Sequence, residues 1–91
     1  MKFIYPAIFR QDTDGLYHGY FPDLDDCLSI GETLDDALEN ANEAACNWLS
    51  VELEEGGHLP PVSDPSDLTL KEGEIIRNIA ANIRLFEGYD E

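Results

Sequence analysis

Between Leu34 and Leu49 the apolar positions recur at three- and four-residue steps: Leu34, Ala37, Leu38, Ala41, Ala45, Trp48 and Leu49. That spacing lines one face of an α-helix at a period near 3.6. Asp35, Glu39, Asn42, Glu43 and Glu52 fall mostly off the stripe, toward water. Thr33, followed three residues later by Asp36, approximates a capping box in which the hydroxyl accepts from a first-turn amide. Glu32, Asp35 and Asp36 place negative charge at the positive end of the helix dipole. Gly56-Gly57 marks the far end, so the pattern predicts a helix over 34–54.

Upstream the period shortens. Met1 to Arg10 is rich in aromatic and β-branched residues and reads as a first strand, with Phe3, Tyr5 and Ala7 on one face and Ile4, Ile8 and, through a bulge, Phe9 elsewhere. Pro6 cannot donate a ladder hydrogen bond and is expected at an edge or a bulge. Gln11 to Gly15 ends in Asp-Gly, a hairpin signal. Leu16 to Phe21 is the returning strand, Pro22 to Asp26 a turn, and Cys27 to Ile30 a short third strand stopping at Gly31. A three-stranded meander with one helix across a face therefore accounts for the first 55 or so residues.

Beyond the helix, His58 to Asp67 holds Pro60, Pro61 and Pro65 and reads as an extended connector without regular structure. The last element has two readings. Ile75, Ile76, Ile79 and Ile83 fit a helical face, while Glu74 to Arg84 after Lys71-Glu72-Gly73 fits a strand.

With 91 residues and 43% apolar content, the chain suits one small folded domain. Its net charge of −15, from twenty acidic and five basic residues, repels phosphate backbones and argues against direct nucleic-acid binding. Such a surface suits a basic protein or a cation, or serves solubility alone. Cys27 and Cys46 have no metal-site spacing, and Cys46, near the apolar stripe, reads as a buried thiol. No secretory leader and no membrane-length apolar run is evident, so a cytoplasmic protein with reduced thiols and no cofactor is expected.

Several short signals occur in a definite order: Tyr5-Pro6-Ala7, the loop ending at Gly15, Phe21-Pro22-Asp23-Leu24, Cys27, Gly31-Glu32-Thr33-Leu34 and the helix ending near Trp48-Leu49. With the Leu59-Pro60-Pro61 and Ser63-Asp64-Pro65-Ser66-Asp67 connector, the set resembles the HicB family of type II antitoxins over nearly the whole chain. The family's Pro-Asp-Leu-Pro-Gly-Cys stands here as Pro22-Asp23-Leu24-Asp25-Asp26-Cys27, with two acids in place of Pro-Gly. The resemblance implies an α+β, truncated ribonuclease H-like fold, β-β-β-α-β, with the fourth strand beside the first. It therefore selects the strand reading for the last element. We expect that strand to be parallel, because helix-to-parallel-strand connections make right-handed crossovers.

The resemblance also implies a partner: a HicA-like toxin, a small basic ribonuclease. Many HicB proteins add a C-terminal DNA-binding domain. Here Glu91 follows the fourth strand closely, so one HicB-like domain over 1–91, with no DNA-binding domain, is expected. The expected toxin-binding surface comprises Tyr20, Asp23, Leu24, Asp25, Asp26, Glu32, Asp35 and Asp36, with the carboxylates meeting the toxin's basic groove and Tyr20 or Leu24 as apolar anchor. An enzyme is not expected: the acids lie mainly in loops and on the helix exterior, and neither His18 nor His58 has a partner at motif spacing. The alternatives are a stand-alone oligomerising scaffold without a toxin, or a residual metal-dependent nuclease. A homo-oligomer, dimer or tetramer, is expected through pairing of an exposed terminal strand edge.

Overall fold

The computed structural model describes residues 2–83. Its elements are β1 (Lys2–Gln11), β2 (Tyr17–Tyr20), β3 (Leu28–Gly31), helix α1 (Leu34–Glu54), a one-turn 3-10 helix (Pro65–Asp67) and β4 (Ile75–Asn82). The expected β-β-β-α-β order is observed, in a four-stranded sheet ordered β3-β2-β1-β4. The 3-10 turn is a small departure from a wholly irregular connector. It forms because Pro65 presets a helical φ and the Asp64 carboxylate caps the Ser66 N–H at 3.0 Å. Arg84, the expected end of the last strand, lies outside the described residues.

Alternation along β1 divides the molecule into two sides. Phe3, Tyr5, Ala7 and Phe9 face the helix, and Phe9 is fully buried. No bulge displaces Phe9. It stays in phase because Gly19, its partner on β2, has no side chain: a Cβ there would meet the Phe9 ring. Phe21, Leu24, Cys27, Ile79, Ala81 and Ile83 complete the core on this side, under Ala37, Ala41, Ala45 and Leu49 of α1.

Helix α1 spans the predicted residues. The Asp36 amide donates to Thr33 Oγ1 at 3.0 Å, and Thr33 itself is extended, as an N-cap should be. At the far end Gly56, at φ +75°, turns the chain so that its amide reaches Leu53 O. One residue departs from its expected place. Asn42 is half-buried, and its amide donates to Ala80 O on β4 instead of to water.

The fourth strand is antiparallel to β1, not parallel as expected. The connector explains the difference. β3 rises to the start of α1, α1 descends, and residues 55–74 climb back before β4 begins, so Ile75 lies opposite Phe9 and Asn82 opposite Lys2. A chain that has re-ascended can only run down beside β1.

Pro6 sits inside β1, yet it costs no hydrogen bond. The carbonyls of Ile76, Ala80 and Asn82 are taken by side chains, which places the even-numbered backbone groups of β4 on its outer edge. Opposite Asn78, Pro6 therefore turns its nitrogen away from β4, toward β2, and the β1–β2 pairing reaches only Ile8. Locally β1 is an edge, which meets the requirement proline imposes.

Gly31 ends β3 directly under the first turn of α1, where a Cβ would strike the Ala37 backbone. Gly31→Ala is expected to cost about 2–3 kcal/mol through overpacking, read as a lowered urea midpoint. A parent-like midpoint would mean that α1 does not close on β3. Leu49→Ala, at a fully buried position, is expected to cost about 2–5 kcal/mol in the same measurement.

Candidate functional site

The loop between β2 and β3 folds around one leucine. Leu24 N donates to Phe21 O, Cys27 N to Leu24 O and Phe21 N to Cys27 O, each at 3.2 Å, and Leu24 is 1% exposed. Leu24 is thus part of the core and is not presented as an anchor. The turn survives the loss of Pro-Gly because Asp26 adopts φ +61°, a left-handed conformation that aspartate tolerates better than most residues.

Two ties fix this loop. Trp48 Nε1 donates to Asp25 O at 2.9 Å, joining the loop to α1. The Asp23 carboxylate accepts from Ser63 N at 2.7 Å and from Ser63 Oγ, joining it to the connector. A further tie lies beside the second: Tyr5 donates its phenol proton to Pro60 O at 2.6 Å. Burial, and then the Asp23 charge, hold the Tyr5 phenol above its ordinary 10.0. Asp23 is therefore a structural clasp, while Asp25 and Asp26 remain exposed. The buried Cys27 thiol is pushed up by desolvation, which keeps it neutral.

The expected surface is neither a single patch nor scattered at random. Asp36, Asn40, Ala44, Asn47 and Val51 recur at three- and four-residue steps and form the flank of α1 beside β3. Two clefts lie along this margin. The upper is lined by Leu16, Ile30, Glu32, Asp36, Glu39 and Asn40. The lower is lined by Cys27, Leu28, Ala44, Trp48 and Val51 together with Asp26 and Glu52. Their helical lining residues are centred about ten residues apart, roughly 15 Å along the axis.

Of the eight expected residues, the margin gathers Asp26, Glu32 and Asp36, with Asp25 tied beside it through Trp48. Asp35 is exposed in the first turn outside both clefts, and Tyr20 lies on the far face of the sheet. Glu39, Trp48, Val51 and Glu52 were not among the expected residues. Val51 lies on the second helical stripe, 36-40-44-47-51, and Glu39, Trp48 and Glu52 are neighbours of that stripe, which the stronger apolar stripe beside it obscures.

At the β1–β2 hairpin Arg10 pairs with Asp12 at 3.3 Å, and His18 lies 3.2 Å from Asp14. The Leu16 N–H, and then His18, hold the Asp14 carboxyl below its usual range. Among the described residues no three His, Cys, Asp or Glu side chains converge as metal ligands, and no helix is long and apolar enough to cross a membrane.

Two predictions follow from the ties and the turn. Asp26→Gly is expected to stabilise the protein by about 0.5–1 kcal/mol, since the left-handed cost is relieved and only partly offset by backbone entropy; a thermal melt at or below that of the parent would contradict it. Tyr5→Phe is expected to cost about 0.5–1.5 kcal/mol at neutral pH. Because the folded state holds this proton more tightly, the tie's contribution is intact below 10.0 and is lost as pH rises through the higher folded value. Denaturant titrations across that range should show the loss in the parent and a smaller one in the variant.

Comparison with known proteins identifies the architecture. Residues 5–83 match the family described as HicB_like antitoxin of bacterial toxin-antitoxin system. The N-terminal domain of the Burkholderia pseudomallei antitoxin HicB superposes with a TM-score of 0.78 at 25% identity, covering 88% of this chain and 99% of that one. A chain of the HicA3 and HicB3 toxin-antitoxin complex superposes at 0.65 with 35% identity, covering 91% of this chain and all of the other. The UPF0150 protein ssr1258 of Synechocystis is 40% identical over 37 residues, 41% of this chain. This chain spans about half of that relative's length, 54%. With the β-β-β-α-β fold and a family match over most of its length, the chain belongs to the HicB-like antitoxins of bacterial toxin–antitoxin systems.

Proposed function

We propose that this chain neutralises a small basic HicA-like ribonuclease by occupying the surface that the toxin needs for RNA, and that the β3–α1 margin makes the contact. One observation carries the reading: the margin brings the apolar groups of Trp48, Val51 and Leu28 together with the carboxylates of Asp26 and Glu52, continued by Glu32, Asp36 and Glu39. Desolvated aromatic and aliphatic groups hold a complex, while rim carboxylates draw in and orient a positive partner. A protein 35% identical to this one is found in a complex with HicA3, which supports the class of partner.

The mechanism is competition for one positive field. RNA approaches a basic groove through its phosphates, and a rigid acidic margin offers the same complementarity without the chemistry. Trp48 performs two tasks here, holding the Asp25 carbonyl while it lines the lower cleft. The loop is thereby pre-ordered, so little entropy is lost when the toxin arrives. The protein works in the cytoplasm without contacting nucleic acid itself, as a chain with only five basic residues should.

Reversal of Asp25, Glu39 and Glu52 to Lys is expected to slow association with the toxin by about tenfold or more at low salt. High salt should shrink the difference by screening. Asp23 is excluded from this variant because its clasp on Ser63 would confound the melting temperature, which should stay near that of the parent. Stopped-flow association and RNA-cleavage assays provide the readout; unaltered inhibition kinetics at low salt would remove the margin as the contact.

A further inference from the structure

The four strands contain no aspartate or glutamate, although the chain carries twenty. The negative charge therefore lies outside the strands, and at the lower cleft of the margin it meets an aromatic ring. Asp26 comes to this cleft from the β2–β3 loop and Glu52 from the last turn of α1, with Trp48 one turn before Glu52. The cavity measures about 430 Å³, a size that admits one long side chain or a small ligand.

The lining groups narrow what can fill it. Trp48 Nε1 is committed to Asp25 O at 2.9 Å and is the only polar atom of the indole, so what Trp48 offers the cleft is ring surface. Ala44, four residues earlier on the helix, is too short to occupy the space beside that ring. Among the described residues neither Asp26 nor Glu52 has an ion-pair partner; the ion pairs there lie at the β1–β2 hairpin. No basic residue stands in the last turn of α1, so the negative end of the helix dipole adds to the field of Glu52. Asp26 holds φ +61°, where glycine would be less strained. The carboxylate it brings to the cleft is what a glycine would forfeit.

We propose that the lower cleft receives the side chain of one arginine of the toxin, an assignment that rests on the margin being the toxin contact. A guanidinium is flat, stacks on an indole face and donates from a fixed fork, so one group can satisfy the ring and both carboxylates. A lysine ammonium meets the charge, but it is compact and strongly hydrated and has no planar face to lay on the ring. An aromatic or aliphatic occupant would cover the ring and leave two carboxylates desolvated without a partner. Trp48, Asp26 and Glu52 thereby select arginine from among the basic groups that the net charge of −15 attracts indiscriminately.

The chain has a single tryptophan, so its emission reports on this cleft. Titration of the full chain at low salt with acetyl-Gly-Arg-Gly-amide should change that emission saturably. The lysine twin, acetyl-Gly-Lys-Gly-amide, carries the same charge and should bind about tenfold more weakly. Asp26→Asn combined with Glu52→Gln, neutral and of similar shape, should weaken the arginine peptide by about tenfold or more. Ala44→Leu fills the space beside the ring without altering charge and should abolish the difference between the peptides. Glu43→Gln, exposed on α1 outside the cleft, should leave that difference unchanged. In the parent protein, NOEs between the arginine side chain and the Trp48 ring are expected, a result that depends on no variant's folding.

The absence of a saturable response, equal binding of the two peptides, or a response untouched by the Asn and Gln substitutions overturns the arginine assignment. A HicA-like toxin separates that failure from failure of the margin itself. If Trp48 emission shifts on complex formation and charge reversal along the margin slows association, while the two peptides behave alike, the margin stands and the arginine falls. If the toxin is inhibited with Trp48 emission unmoved, both fall.

Discussion

The close approach of α1 to the sheet is the constraint on which the other features rest. Ala37, Ala41 and Ala45, at four-residue intervals, present only methyl groups to the strands, and each is at most 1% exposed. Large residues on this line would lift the helix and open a void that the aromatics of β1 could not fill. With the helix low, Ser29 Oγ on β3 reaches Ala37 O at 2.9 Å. Asn40 and Asn42, two residues apart and so on opposite flanks of the helix, reach opposite margins of the sheet. A side chain this short can cap a neighbouring strand only because the backbone axis is near.

Much of this architecture was legible in the sequence, for reasons that differ by element. The extent of α1 was clear because Thr33, the apolar stripe and Gly56-Gly57 are independent signals that agree. β4 was ambiguous by pattern, since Ile75, Ile76, Ile79 and Ile83 satisfy a helical period by coincidence; its true alternation, with Ile75, Ile79, Ala81 and Ile83 inward, appears once β1 provides the register. Its direction could not be read at all. Residues 55–74 carry no periodicity, and the path of an extended connector is decided by the clasps at Pro60 and Ser63.

The interaction surface was less legible than the fold. Carboxylates were easy to list, but a sequence does not show which of them are already engaged. Asp23 resembles Asp25 and Asp26 in composition and differs wholly in role, because its oxygens face Ser63. Leu24 looked available in a loop and is among the most buried residues. Burial of a loop residue follows from long-range closure, which local spacing does not encode. Charge segregation needed the structure too. The absence of acids from the strands becomes a property of one surface only when the strands are assembled into a sheet.

The connector that fixes the direction of β4 also determines how the protein comes apart. Residues 55–74 are anchored to the body chiefly through Tyr5 and Asp23, and most of their side chains are exposed. Segments of this kind open locally at far less cost than global unfolding and are where proteases cut first. A single cut there would divide the chain into a larger piece holding β1, β2, β3 and α1 and a smaller piece holding β4. The two would remain joined by the eight-pair β1–β4 register, so a nicked molecule would keep its shape until β4 dissociated. Its lifetime would then be set by a dissociation rate between fragments and no longer by the folding equilibrium of one chain.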